Sequence, residues 1–195
     1  MYSALKRATD ISLSLLGTIT LFPLGIIIST LIFIESRMPV FYVQKRVGKG
    51  GKVFQMYKFR SMVNGAESQS GPVWAKENDP RVTPIGRILR KTRLDELPQL
   101  INVIKGEMTL VGPRPERPEI VVTLRQEIPD YIKRLELKPG LTGLAQVNHC
   151  YDTCIEDVKM KLASDLEYME NQSLLFDLKI FAKTIGVVIT GKGAH

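Results

Sequence analysis

From Ile11 to Ile34 the chain runs through 24 residues without a charge, ISLSLLGTITLFPLGIIISTLIFI. A helix needs roughly 20 apolar residues to cross ~30 Å of hydrocarbon, so this run reads as membrane-embedded. Lys6 and Arg7 precede it, as they would in a secretory signal peptide. The run is longer than the usual h-region of ~7–15 residues, however, and no A-x-A-like cleavage site follows it. Cations flank both sides, with Lys6 and Arg7 before and Arg37, Lys45, Arg46, Lys49 and Lys52 after. The positive-inside tendency therefore draws both ends to the cytoplasm, which a plain single-pass anchor does not allow. Pro23 lies mid-run, where it has no N–H to donate and its ring clashes with the carbonyl of Ile19. A kinked hairpin that enters and leaves one face satisfies both observations, with Thr18 or Thr20 hydroxyls serving the freed carbonyls. A straight span stays open as the alternative, because Pro is frequent in ordinary spanning helices.

The remaining chain has the apolar content of a folded domain, since 44% of all residues are hydrophobic, and disorder is excluded. Lys and Arg number 27 against 20 acidic residues, a surplus of +7 that points to a polyanionic partner: nucleic acid, phospholipid headgroups or a nucleotide. Cys150 and Cys154 have only His149 and His195 to help them. That set excludes a disulfide framework and does not support a structural zinc site, so both read as free thiols in a reducing compartment.

Val40 to Arg60 alternates on either side of Gly48-Lys49-Gly50-Gly51 and reads as a β-hairpin. Lys58 and Arg60 share one strand face, suited to gripping phosphate or simply to solvent. Asn64 to Pro84 has no period and reads as a long loop, with the single Trp, Trp74, inside it. In Ile85 to Leu110, Arg87, Arg90 and Arg93 recur every three residues, and Leu94, Leu97, Leu100, Ile101 and Ile104 form a stripe of helical spacing. Pro98 fits if a helix begins just before it with Asp95 as its N-cap. A carboxylate there suits a helix N-terminus, and Glu96 beside it adds oxygen ligands of the kind Mg²⁺ takes together with substrate phosphates. The same pair is equally ordinary as a structural cap. Arg114, locked between Pro113 and Pro115, is a pre-organised guanidinium for phosphate, or part of a proline-rich linker. Leu174 to Ile189, with Lys192 after it, reads as an interfacial or a core helix.

Four motifs in order, YKFRSM (Tyr57 to Met62), RILRKTRLDELPQLINVIKGEMTLVGPRP (Arg87 to Pro115), KPGLTGLAQV (Lys138 to Val147) and the spaced Asp165, Tyr168, Asn171, Ser173 and Asp177, strongly resemble the bacterial sugar transferase family. These are monotopic polyprenyl-phosphate phosphoglycosyl transferases, and the chain resembles their minimal, catalytic-domain form. The resemblance implies an α+β, mostly helical fold: an N-terminal membrane-embedded, Pro-kinked re-entrant helix over residues 1–36, then a catalytic domain over residues 37–195 with a small β-hairpin and amphipathic interfacial helices. It implies transfer of a sugar-1-phosphate from a UDP-sugar to polyprenyl (undecaprenyl) phosphate with release of UMP, the step that begins glycan assembly. Asp95 would be the nucleophile forming a covalent phosphosugar intermediate, and Glu96 the Mg²⁺ ligand and second catalytic residue. Lys58, Arg60, Arg87, Arg90, Arg114, Thr142, Gly143 and Gln146 would bind the phosphates and the UDP-sugar. The implied partners are UDP-sugar, polyprenyl phosphate and membrane lipids, with a homodimer left open, at the cytoplasmic face of the bacterial inner membrane. Nucleic acid is not among them, since no helix-turn-helix, RRM or zinc signature is present. One departure is Phe22, where relatives often carry Ser before the membrane proline.

Overall fold

The structure, a computed structural model, describes residues 2–66, 79–149 and 155–190. Trp74, Cys150, Cys154, Lys192 and His195 lie outside the described residues. The uncharged run forms the middle of one helix, α1 (Tyr2–Ser36), with Pro23 inside it. It is the only described helix long and apolar enough to cross a membrane. A stripe at three- and four-residue spacing faces the rest of the chain: Asp10 and Ser14 are buried, Gly17 approaches Leu100, Gly25 approaches Phe59, and Ile28 and Ile32 are buried again. The opposite side exposes Leu16, Ile19, Phe22, Ile26, Ile27 and Ile34.

Both ends of α1 are tied to the same body. Near its start, Lys6 Nζ donates to Asp177 Oδ2 at 2.8 Å and Arg7 donates to the carbonyls of Val103 and Ile104. Asp10 accepts from Thr109 Oγ1 and from the N–H of Leu110. At its other end, Glu35 Oε1 accepts from the N–H of Ile85, and Arg60 Nη2 donates to the carbonyls of Ser36 and Arg37. The threonines do not serve the carbonyl freed by Pro23. Thr18 and Thr20 donate instead to Ser14 O and Leu16 O, each the carbonyl four residues back that a helical hydroxyl reaches.

The expected hairpin is present as β1 (Phe41–Val47) and β2 (Val53–Phe59), paired antiparallel from Phe41 opposite Phe59 to Val47 opposite Val53. Gly50 and Gly51 take the turn with φ of 66° and 77°, which only glycine adopts freely. Next comes α2 (Pro84–Lys91), capped by Thr83, whose Oγ1 accepts from the N–H of Gly86. Asp95 does not cap a helix. Leu94–Glu96 is a single 3₁₀ turn entered through Arg93 at φ 58°, and α3 (Gln99–Lys105) starts only after Pro98. This break changes the phase of the leucine stripe, so Leu94 and Leu97 pack near α1 while Ile101 turns out to 43% exposure. Asn102, with no exposed surface, takes the inward position instead.

The second half of the chain builds around a two-stranded parallel sheet, β3 (Thr109–Val111) with β4 (Gly140–Thr142). Between these strands lie α4 (Pro118–Glu127) and a 3₁₀ helix, Pro129–Glu136. The helices α5 (Leu144–Asn148), α6 (Ile155–Glu170) and α7 (Leu174–Thr190) follow. The fold is thus α+β and mostly helical. One core joins the hairpin (Phe54, Met56) to α3, β3, Tyr168 and Ile180, and a second joins α4 to α6 through Leu124, Tyr131 and Leu162.

Candidate active site

A cavity of about 630 Å³ opens between the hairpin, the 3₁₀ turn, the Pro113–Pro115 segment and α7. At its floor lie Asp95 and Glu96, 7% and 8% exposed. The 3₁₀ turn that carries them is held below by Leu94 and Leu97 in the apolar cluster of Ile28, Ile32 and Phe59, so both carboxylates have fixed bases. Glu96 Oε1 accepts from Lys58 Nζ at 2.8 Å and from Arg114 Nη2 at 2.9 Å. One carboxylate oxygen thus gathers a cation from β2 and another from the proline-flanked segment, and both cations line the cavity.

Neighbouring carboxyls are driven in opposite directions. Burial pushes Asp95 above its ordinary value, against the pull of Lys58, while the adjacent Glu96 charge adds to the rise. Burial acts on Glu96 in the same sense, but Arg114 and Lys58 together outweigh it and hold Glu96 far below the usual carboxylate range. Burial in turn lowers the Lys58 ammonium, with Glu96 opposing it.

Arg90 joins this group through Ser61, whose Oγ accepts from Arg90 Nε at 2.9 Å, and both line the cavity. Arg93 lines it as well, whereas Arg87 is exposed on α2 and does not. The helix ends at Lys91, and the left-handed backbone at Arg93 aims that residue independently of Arg87 and Arg90. Arg60 borders the cavity, but its Nη2 is committed to the C-terminal carbonyls of α1 and to Ser36 Oγ. Lys58 and Arg60 therefore part company, one toward the carboxylates and the other toward the helix end.

From the Lys138 to Val147 motif, Thr142 and Gln146 reach the cavity wall. Thr142 Oγ1 lies 2.7 Å from Thr184 Oγ1 of α7, and Gln146 Nε2 donates to the carbonyl of Leu141. Gly143 is not a lining residue. A Cβ there would sit 2.1 Å from Gly112 O, so its part is to let two backbones touch beside Arg114.

Several residues around the site were not singled out along the sequence. Ser61, inside YKFRSM, is one. Arg134 is another, buried against Asp165 and donating to the carbonyl of Arg114 at 2.9 Å. Asp165, Tyr168 and Asp177 stood in a recognisable spacing, and Tyr168 bonds Asp177 within it, but Arg134 and Val111, the other partners of Asp165 and Tyr168, lie 31 and 57 residues away.

Residues 1–191 match the family model described as Bacterial sugar transferase. The chain is 43% identical over its whole length to the UDP-N-acetylgalactosamine-undecaprenyl-phosphate N-acetylgalactosaminephosphotransferase of Aeromonas hydrophila, of which it covers 46%. Over 98% of its length it is 41% identical to the UDP-glucose:undecaprenyl-phosphate glucose-1-phosphate transferase of Escherichia coli (strain K12), covering 41% of it. The exopolysaccharide production protein PSS of Rhizobium leguminosarum bv. phaseoli is 40% identical, and there the match takes in 97% of this chain and 98% of the relative. The chain thus spans under half the length of the first two relatives and almost all of the third. With a match that runs from the apolar helix to the last described helix, the chain belongs to the bacterial sugar transferase family.

Proposed function

We propose that this protein moves a sugar-1-phosphate from a UDP-sugar to a polyprenyl phosphate, through a covalent intermediate on Asp95. The observation that carries the reading is one cavity in which a buried carboxylate pair faces Lys58, Arg90 and Arg114, beside helices with exposed apolar sides. Two relatives are named as sugar-phosphate transferases to undecaprenyl phosphate, one using UDP-N-acetylgalactosamine and one UDP-glucose.

An oxygen of the ionised Asp95 attacks the β-phosphorus of the UDP-sugar. The bond from that phosphorus to the bridging oxygen breaks, and UMP leaves with the bridging oxygen and its electron pair. A polyprenyl phosphate oxygen then attacks the same phosphorus, and the Asp95 carboxylate departs unchanged. Dividing the reaction this way lets a soluble and a lipid substrate use one phosphate site in turn. Arg90 and Arg114 meet the negative charge that develops on the transferred phosphoryl group, beside the two buried carboxylates. Burial keeps Asp95 weakly solvated and thus more reactive once ionised, while Lys58 keeps enough positive potential nearby for it to ionise.

A divalent cation fits this donor set. Mg²⁺ prefers one or two carboxylates completed by substrate phosphates, and Glu96 with Asp95 offers carboxylate oxygens beside a phosphate-sized space. Among the described residues no cluster of three His, Cys, Asp or Glu offers a fuller cage. Bound there, Mg²⁺ would neutralise diphosphate charge and polarise the phosphoryl oxygens.

The outward side of α1 is apolar and both its ends are anchored to the catalytic part, which supports a helix that enters and leaves the cytoplasmic face of the inner membrane. Such an attachment sets the cavity where a polyprenyl phosphate headgroup lies. The reading is tested by incubating the detergent-solubilised protein with Mg²⁺, undecaprenyl phosphate and a panel of UDP-sugars that includes UDP-N-acetylgalactosamine and UDP-glucose. UMP release with one donor is expected, together with its loss in Asp95→Asn. Substantial turnover by Asp95→Asn would remove Asp95 from the nucleophile role and favour direct transfer.

A further inference from the structure

Pro113 and Pro115 have no N–H to donate, so the segment around Arg114 is anchored chiefly through its carbonyls. Four consecutive carbonyls are each taken by a different donor. Pro113 O accepts from the N–H of Gly140 at 2.8 Å, and Arg114 O accepts from Arg134 Nη2 at 2.9 Å. Pro115 O accepts from Arg46 Nη1 at 3.1 Å, and Glu116 O accepts from the N–H of Val47 at 2.8 Å. The central two donors are arginine side chains from distant elements, β1 and the Pro129–Glu136 3₁₀ helix.

Arg134 is built for one direction only. Its Nε and Nη2 lie 2.8 and 2.7 Å from Asp165 Oδ2, and its Nη1 donates to Tyr131 Oη at 2.9 Å. Its side chain is 8% exposed and that of Asp165 2%. A buried ion pair is a poor source of stability, because desolvation cancels most of the attraction and apolar residues of the same volume often do as well. Stability alone therefore does not account for Arg134 and Asp165. The nitrogen that reaches Asp165 also reaches the carbonyl of Arg114, whose own side chain ends on Glu96.

We propose that Arg134, oriented by Asp165 and seconded by Arg46, is a positioning residue: it fixes the backbone of Arg114 so that its guanidinium points at Glu96 and at the phosphate to be transferred. The proposal rests on the reading of Arg114 as a phosphate-binding residue and goes beyond it. Arg134 touches no substrate and acts through the carbonyl alone. A misplacement of about 1 Å at such a site costs on the order of 100-fold in rate.

The test is a double-mutant cycle on the full-length protein, with UMP release followed at varied UDP-sugar and the fold followed by thermal unfolding. Arg114→Ala alone tests the underlying reading, and turnover equal to the parent would end it. Given a loss in Arg114→Ala, folded Arg134→Met is expected to lower kcat/KM about 10–100-fold in the parent and to change it little in the Arg114→Ala background. Arg134→Lys is expected to fall with Arg134→Met, since one ammonium does not span Asp165 and the Arg114 carbonyl together. Equal losses in both backgrounds would make Arg134 merely structural, and no loss in a folded Arg134→Met would also overturn the proposal. Should Arg134→Met not fold, Arg46→Met carries the same comparison from the adjacent carbonyl.

Discussion

Asp95 and Glu96 are neighbours in sequence and equally buried, yet their proton affinities move apart because Glu96 alone is bonded to Lys58 and Arg114. The consequence for folding has opposite signs. Asp95, with its folded value raised, favours the fold below its unfolded value of about 3.9 and loses that contribution as pH rises through the folded value. Glu96, with its folded value depressed, favours the fold above its unfolded value of about 4.3 and loses that contribution as pH falls through the folded value. Near neutral pH, Asp95→Asn is therefore expected to melt at or above the parent temperature, and Glu96→Gln below it. Scanning fluorimetry on the two variants checks this, and a drop in Asp95→Asn matching that of Glu96→Gln would contradict it. In catalysis Asp95 must be ionised to attack, so the acid limb of kcat/KM is expected above the ordinary carboxylate range. Lys58→Met, which removes a cation that lowers Asp95, is expected to shift that limb to higher pH; an unmoved limb would detach it from Asp95. The adjacency of the two carboxylates beside regularly spaced arginines was visible in the sequence, but that spacing left a structural cap open and the resemblance supplied the catalytic expectation. Arg134 and Arg46 were not legible, because what each does is donate to a carbonyl that lies 20 and 69 residues away.

Among the elements, the hairpin was readable from alternation and a glycine turn, since a period of two and a positive φ both leave local marks. The leucine stripe from Leu94 to Ile104 misled for a physical reason. Periodicity assumes one continuous helix, and the Leu94–Glu96 3₁₀ turn followed by Pro98 resets the phase, so Asn102 rather than Ile101 faces inward. A buried amide there joins two elements. Asn102 Oδ1 accepts from the N–H of Tyr57 at 3.1 Å, and its Nδ2 donates to Gln55 O and to Glu107 Oε2, each at 2.7 Å. It completes the free edge of β2, the strand that delivers Lys58. Asn102→Ala leaves those half-buried groups without their partner, and a loss of about 1–3 kcal/mol in stability is expected from urea unfolding. Asn102→Leu, which fills the volume without pairing the edge, is expected to recover little of it. Full recovery would mean that volume, not pairing, is what the position supplies.

At the scale of the molecule, α1 is long and apolar enough to cross a bilayer, yet both of its ends are bonded to one folded part. Thirty-five helical residues extend about 52 Å, more than a perpendicular crossing requires, and a crossing would carry Tyr2 away from the partners that Ser36 keeps. Instead the first turns converge on Asp177 of α7. Lys6 and the Tyr2 hydroxyl both donate to its Oδ2, while the Tyr168 hydroxyl lies 2.6 Å from Oδ1 and 3.0 Å from the carbonyl of Val111. Val111 ends the strand that leads to Arg114, so α1, α7 and the segment around Arg114 share one knot of hydrogen bonds. The positive-inside pattern raised one-sided entry as an expectation, whereas this knot left no mark in the sequence, because it joins residues 171 positions apart. One-sided entry has a direct check. In a background with Cys150→Ser and Cys154→Ser, single cysteines placed by Ser3→Cys and Lys49→Cys are exposed to a membrane-impermeant maleimide. Both are expected to stay unlabelled in intact cells and to react once the membrane is permeabilised. Labelling of the Ser3→Cys variant alone in intact cells would require the straight span and would break the bond between Lys6 and Asp177. Asp177→Ala separates anchoring from insertion: it is expected to leave the protein in the membrane fraction while lowering turnover, because the apolar side of α1 does not depend on the knot but the seating of the strand before Arg114 does.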